Sequence, residues 1–352
     1  MLPCFGNEAA IMKRILLLYI LIACGFSVEG QDIHLSQFSE TPLWRNPSLA
    51  GIFTGDVRAQ AVFRSQWGSV TVPYNTVSAN AEYKLPVGNS HDFLTLGVQV
   101  MYDKAGSTNF QTLHFYPVIN YHKSLSGNKN SYLSLGFMGG MVQRSIDRSK
   151  ITTNSQYDGS GYNQFLDIDE PLTQFSKTYG DASVGLSFNS SIGGSEYDNF
   201  FVGLAYHHFN KPSNAFYKNP RIELKEKWVV SGGLKVGITE RSYLTVLADY
   251  NMQGPYREII GGGMIGYAID DWDITTSKVN FHTGAFIRWQ DAIIPMIRFD
   301  FLPFSATLSY DINISPLKTV SQSKGGFELS MAYIGFLDRY NSAKNAVLCP
   351  RF

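Results

Sequence analysis

Gly261-Gly262-Gly263-Met264-Ile265-Gly266 matches the G-x-G-x-x-G pattern that cradles a dinucleotide pyrophosphate. That chemistry needs a strand before the glycines, a helix after them and an acid about twenty residues on. Here Tyr267-Ala268-Ile269 and an acidic turn follow, without helical period, so the segment reads as a Gly-rich strand. Asp270-Asp271-Trp272-Asp273 gathers carboxylates but lacks the sharp Gly turn of a calcium loop, and reads as a solvated turn. Asp167, Asp169 and Glu170 read the same way. Residues adjacent on a strand point to opposite faces, so His207 and His208 are not expected to share an ion. His114 and His122 share a face but stand about 27 Å apart along an extended strand. No G-x-S-x-G elbow is present, and no Cys–His pair suggests itself. The expectation is no catalytic residue, no cofactor, no metal and no enzyme activity.

The elements that would position these residues are strands. In Val57 to Trp67 the odd positions are mostly apolar and the even ones mostly polar. Val77, Ala79, Ala81, Tyr83 and Leu85 share one face, and Thr76, Ser78, Asn80, Glu82 and Lys84 the other. Leu113, Phe115, Ile119 and Tyr121 oppose Thr112, His114, Asn120 and His122. Ala306, Leu308, Tyr310, Ile312 and Ile314 oppose Thr307, Ser309, Asp311 and Asn313. The pattern closes with Gly325 to Phe336. Segments of about ten residues, alternating and separated by turns, are the signature of a transmembrane β-barrel with one face to lipid and one to the lumen.

The expected strands start near residues 57, 74, 92, 109, 131, 179, 198, 226, 241, 257, 279, 292, 304 and 326. About fourteen is an even count, as single-chain bacterial barrels require. With both termini in the periplasm, odd-to-even connections face outward, where loops run long. The longest, about 147–178, and the next, about 211–225, both fall there. Most inward turns are short, with 270–278 the exception.

Composition agrees. Charged residues make up 16% and aromatic residues 14%. The charged share is well below the quarter typical of soluble domains. Mean hydropathy is only −0.10, and beyond the N-terminus no apolar run approaches a membrane helix. Zero net charge gives no electrostatic case for nucleic acid.

Residues 1–30 read as an over-called start followed by a signal peptide. Met12-Lys13-Arg14 is basic, Ile15 to Ala23 is apolar, and Val28-Glu29-Gly30 offers small residues ahead of Gln31. Leu21-Ile22-Ala23-Cys24 supports a second reading, lipidation at Cys24. If Gln31 is the mature start, Cys349 is the one remaining thiol and no internal disulfide forms. Residues 31–56 are not strand-like. Their Phe, Trp and Leu indicate an arm that packs inside or beneath the barrel rather than a disordered linker. Residues 57–337 form the barrel and 338–352 a periplasmic tail, where Pro350 argues against another wall strand.

Arg58, Arg64, Glu82, Lys84 and Asp311 fall on the lumen-facing register. Internal ion pairs that fill the barrel, for example Arg64 with Glu82, are the first reading, and a selective pore lining the second. Trp44, Asn46, Pro47, Pro350, Arg351 and Phe352 are candidate partner contacts.

Several stretches resemble a known family. Gln31-Asp32, Leu35-Ser36-Gln37-Phe38, Pro42-Leu43 and Asn46-Pro47-Ser48-Leu49-Ala50-Gly51 are similar to the mature start of PorP/SprF proteins. Arg64-Ser65-Gln66-Trp67, Tyr74-Asn75-Thr76, Ser309-Tyr310-Asp311, Gly325 to Ser330 and Cys349-Pro350-Arg351-Phe352 extend the likeness. The resemblance implies an outer-membrane barrel of the type IX secretion system of Bacteroidota. It also implies a non-enzymatic role in export or surface attachment of large secreted proteins, gliding adhesins among them. The implied partners are outer-membrane lipid, the secreted client, and periplasmic and outer-membrane components of the machine, with no nucleic acid. A passive or substrate-specific porin is the alternative. A lipid-modifying barrel enzyme is a third class, for which no Ser/His/acid cluster can be placed.

Overall fold

The computed structural model describes residues 32–337 except 89–90, 127–130, 171, 173, 194–197, 218–221, 273–276 and 317. The expected signal peptide with Cys24, and the expected tail with Cys349, Pro350, Arg351 and Phe352, lie outside the described residues, as does Asp273.

The strands are β1 (Val57–Gln66), β2 (Tyr74–Pro86), β3 (Phe93–Ala105), β4 (Phe110–Ser126), β5 (Ser131–Ser145), β6 (Ser176–Ser191) and β7 (Asn199–His207). They continue as β8 (Lys227–Thr239), β9 (Ser242–Gln253), β10 (Tyr256–Ala268), β11 (Val279–Arg288), β12 (Ala292–Phe301), β13 (Phe304–Asn313) and β14 (Lys324–Gly335). Each pairs antiparallel with its sequence neighbours, and β1 pairs with β14 from Val57↔Gly335 to Gln66↔Gly326, closing the barrel. Closure removes the unpaired edges that hydrocarbon cannot satisfy. No described helix is long and apolar enough to cross a membrane.

Alternation sets the faces as expected, and the polar phase points inward. On β4, Thr112, His114, Tyr116, Val118, Asn120 and His122 are buried, while Leu113, Phe115, Ile119 and Tyr121 are exposed to the lipid side. On β1, Arg58, Gln60, Val62 and Arg64 are buried. Observed strand starts lie within three residues of the sequence expectation. The largest difference is β6, which begins at Ser176 because Ser145↔Ser176 and Arg144↔Lys177 extend the ladder past the alternating stretch.

The connections at 146–175 and 208–226 share one end of the barrel, which is therefore the outer end. The 269–278 connection lies at the other. Its Asp270 accepts hydrogen bonds from Ser277 Oγ (2.6 Å), Lys278 N (3.2 Å) and Val279 N (3.0 Å), and these bonds hold its carboxyl below the usual range. Asp270 is thus a turn-closing group. Gly262 lies within β10, where an added Cβ would meet Ala285 O and the Phe286 ring, so its place in the motif is set by close strand packing.

The interior is not uniformly polar. Phe93, Tyr132, Phe201, Leu247, Ile260, Phe286, Ile294 and Met296 turn inward and form one buried apolar cluster with Phe38, Leu49 and Ile52 of the arm. Burying that surface favours a filled barrel by the same term that drives a soluble core.

Candidate functional site

Residues 34–56 run through the lumen. The arm turns through two short 3-10 segments, Phe38–Glu40 and Pro47–Leu49, flanking one helical turn, Pro42–Arg45. Pro42 and Pro47 begin their turns, where a missing N–H costs nothing. Asn46 Oδ1 caps the second by accepting from Ser48 N at 2.9 Å.

The wall meets the arm's buried backbone and side-chain polar groups. Towards the outer end, the Glu328 carboxylate accepts both Ser36 N and Gln37 N at 2.7 Å. Gln37 Nε2 donates to Ser309 Oγ at 3.1 Å and to Glu328 O at 2.9 Å. Asp311 Oδ2 accepts Ser36 Oγ at 2.8 Å, Arg64 Nη2 at 3.1 Å and Arg288 Nη2 at 2.6 Å. Midway, Arg45 grips Asp249 with two nitrogens, Nε to Oδ2 at 2.7 Å and Nη2 to Oδ1. The Arg45 guanidinium also lies over the Phe38 ring, 4.7 Å from its centroid. Glu40 pairs with Arg298 at 2.9 Å. Asn120 Nδ2 donates to Ser48 O and Ala50 O at 2.7 Å, and Ser187 Oγ donates to Ser48 O at 3.1 Å. Nearer the inner end, Gly51 N donates to Glu82 Oε2 at 2.8 Å, and Lys84 Nζ donates to Phe53 O.

Glycines make room for this arm. A Cβ on Gly136 would overlap the Pro47 carbonyl and Ser48 N, and one on Gly185 would overlap the Asn46 side chain. Gly51 has φ +84°, and its Cβ would strike Thr95 Oγ1 and His122 Nε2.

Arg58, Arg64, Glu82, Lys84 and Asp311 are all buried in the lumen. The suggested Arg64–Glu82 pair does not form. Strand register sets Arg58 opposite Glu82, and Arg64 opposite Thr76 on one side and Glu328 on the other. Arg58 Nε accordingly donates to Glu82 Oε1 at 2.8 Å. Asn46 and Pro47 are buried against their own barrel. Trp44 is half-buried, edge-on to His114 with centroids 5.1 Å apart. Sequence reasoning missed Glu328, Asp249, Arg288, Arg45, Glu40 and Asn120. Alternation put Asn120 on the polar face of its strand, but no local signal says which arm atom meets any of these wall residues.

The histidines serve the same scaffold. β7 ends at His207, and His208 takes φ +57°, so both are buried despite being adjacent. Their ring nitrogens meet different groups: His207 contacts Ser183 Oγ and Arg45 O, each at 3.0 Å, and His208 contacts Asp181 at 2.8 Å. The Ser183–His207 pair has dyad-like distances, but both residues are buried and the third group is the arm's carbonyl. Among the described residues no group of three or more His, Cys, Asp or Glu could hold a metal ion.

Among solved structures, the chain is similar to the translocator domain of the autotransporter NalP from Neisseria meningitidis, at 12% identity and TM-score 0.41, over 92% of this chain and 96% of that one. It is also similar to a Pseudomonas aeruginosa FadL homologue, at 10% identity and TM-score 0.46, over 84% and 94%. The Pseudomonas putida toluene transporter TodX matches at 10% identity and TM-score 0.44, over 86% and 93%. Likenesses of this size say nothing about activity. No curated protein sequence matches the chain. The model of the family described as "Type IX secretion system membrane protein PorP/SprF" matches residues 27–333. With that match over most of its length and a closed fourteen-strand barrel, the chain belongs to the PorP/SprF family of outer-membrane proteins of the type IX secretion system.

Proposed function

We propose that this protein is a plugged barrel that assists export or cell-surface attachment of a large type IX client without conducting solutes and without catalysis. The carrying observation is the filled lumen. The arm bonds to wall residues on opposite sides of the barrel, Glu328 and Asp311 on one, Asn120, Ser187 and Asp249 on the other. Phe38, Leu49 and Ile52 of the arm also join an apolar cluster with inward-facing wall residues. A pore lined for ions would keep its charges hydrated, whereas Arg58, Arg64 and Arg288 here are each spent on a carboxylate. The periplasmic and outer-membrane parts of the machine, together with the client, are the partners this reading requires.

Two measurements test it. Purified full-length protein in a planar bilayer should give no steady conductance, while a variant lacking residues 35–55 should conduct. Cells lacking the protein should lose one or more proteins from their surface, read by protease shaving and mass spectrometry. Steady conductance of the intact chain with an unchanged surface proteome would establish the porin alternative instead.

A further inference from the structure

Resting on that reading, we propose that residues 151–170 form a docking finger at the cell surface. Its partner is a cationic segment of the client that carries both basic and apolar side chains. The finger stands on the tall side of the barrel. Strands β4, β5 and β6 have 17, 15 and 16 residues, against 10 each for β1, β11, β12 and β13. About 9–11 residues suffice to cross the bilayer. On the outer side β6 runs on past β7, whose last residue His207 pairs with Ser183, so Ser176 to Ala182 carry the β5–β6 ladder beyond that neighbour.

The finger is folded. Ile146 N donates to Phe175 O at 3.0 Å, and Asp147 N to Thr108 O at 3.1 Å, fixing its base. Buried Gln156 clasps its two limbs, with Nε2 donating to Leu166 O at 3.2 Å and its carbonyl accepting Asn163 N at 2.7 Å. Thr153 Oγ1 to Ile168 O and Ser155 Oγ to Asp167 O add two more ties. On this frame Phe165 is 88% exposed, with Tyr157 and Tyr162 also exposed. Rigid aromatic rings held in water are what protein interfaces use as anchors.

Charge selects the partner. Residues 151–175 contain Asp158, Asp167, Asp169 and Glu170 and no Lys, Arg or His. Asp158 is committed to the tip turn, accepting from Ser160 N at 3.0 Å and Gly161 N at 3.2 Å. Asp167, Asp169 and Glu170 are exposed, and no ion pair among the described residues involves them. Such a surface repels a second copy of itself and is complementary to a basic polypeptide.

The binding test uses full-length protein in nanodiscs and two labelled 12-residue peptides, one alternating Lys with Tyr and Ser, the other carrying Glu in place of Lys. The Lys peptide should bind and the Glu peptide should not. Phe165→Ser, and separately Asp167→Asn/Asp169→Asn/Glu170→Gln, should each weaken binding about tenfold or more. Equal binding of both peptides, or no effect of either variant, overturns the proposal. So does binding of a neutral oligosaccharide that is lost with Phe165 but indifferent to the acids. Heat-modifiability on gels confirms that each variant is a folded barrel. In cells, deletion tests the export reading, and complementation with the combined variant tests the finger. Full restoration of the lost surface protein by that variant would overturn the finger alone, while a deletion without surface loss would overturn the export reading itself.

Discussion

Arg64 and Glu328 are register partners across the β1–β14 seam, and their side chains form an ion pair inside the lumen. The same carboxylate accepts Ser36 N and Gln37 N, so the strand pair that closes the barrel also holds the plug. Glu328→Gln keeps the shape but removes the charge, leaving Arg64 to Asp311, which Arg288 already shares. Breaking one side of a buried pair costs about 3–5 kcal/mol. A urea titration of folding into vesicles should show a loss of that order for Glu328→Gln. The double variant Arg64→Met/Glu328→Gln should lose less than the sum of its singles, because the two residues are coupled.

The wall was legible in the sequence because strand alternation is local. Clean two-residue period at 57–67, 76–85, 112–122 and 306–314 placed both the strands and their faces. It was weaker where the inside is apolar as well, as at Trp228-Val229, Ile259-Ile260 and Ile293-Ile294, since a strand buried on one side and in lipid on the other has no polar phase. The plug was legible only as a docking arm. Ser36 and Glu328 are 292 residues apart, and alternation tells the face of a residue but not its height against an unrelated segment. The Arg58–Glu82 choice over Arg64–Glu82 turned on such a height, six residues along one strand, which a boundary uncertain by a few residues does not resolve.

Gly185 measures how tightly the plug sits. A Cβ there would overlap the Asn46 side chain, which is held by Ser48 N and Ser48 Oγ. Gly185→Val should therefore displace the turn at Asn46–Ser48 while leaving the ladder to Gly136 and Ala205 intact. Overpacking of this kind costs about 1–3 kcal/mol. The expected signature is a folded, heat-modifiable barrel with intermittent conductance and new protease cleavage within residues 34–56. A variant as silent and resistant as the parent would show that the lumen has room to spare.

Asp92 gives the inner end an acid-sensitive latch. Burial pushes its carboxyl up, but hydrogen bonds from Lys123 Nζ (2.7 Å), Ser124 N (2.9 Å) and Tyr121 Oη (2.8 Å) outweigh this and bring it down to about 2. An unfolded Asp titrates near 3.9. The folded form is the stronger acid, so its contribution is complete above about pH 4 and fades as pH falls towards 2. Asp92→Asn should be less stable than the parent at pH 7, and the gap should close across that window. A gap independent of pH would mean that the carboxylate contributes through shape alone.

Ala81 and Asn80 test the register, because they are neighbours on β2 with opposite surroundings. Ala81 is exposed on the lipid face and pairs with Ala59 and Val98. Ala81→Arg should cost about 2–4 kcal/mol if it lies at the bilayer midplane. Asn80 faces the lumen, where an inward Arg would be the milder change in an open barrel. The filled interior alters that expectation. Asn80 is buried and donates to Glu82 Oε1 at 2.9 Å and Gln60 Oε1 at 3.3 Å, so Asn80→Arg should also destabilise, by overpacking and by leaving those acceptors short of a donor. Leucine separates the two causes. Ala81→Leu adds apolar surface to a lipid-facing site and should be near neutral, whereas Asn80→Leu removes both hydrogen bonds beside a buried carboxylate and should not. Folding titrations of all four variants read this directly. Leucine tolerated at 80 and rejected at 81 would mean that the faces are exchanged, as a slip of one residue would do.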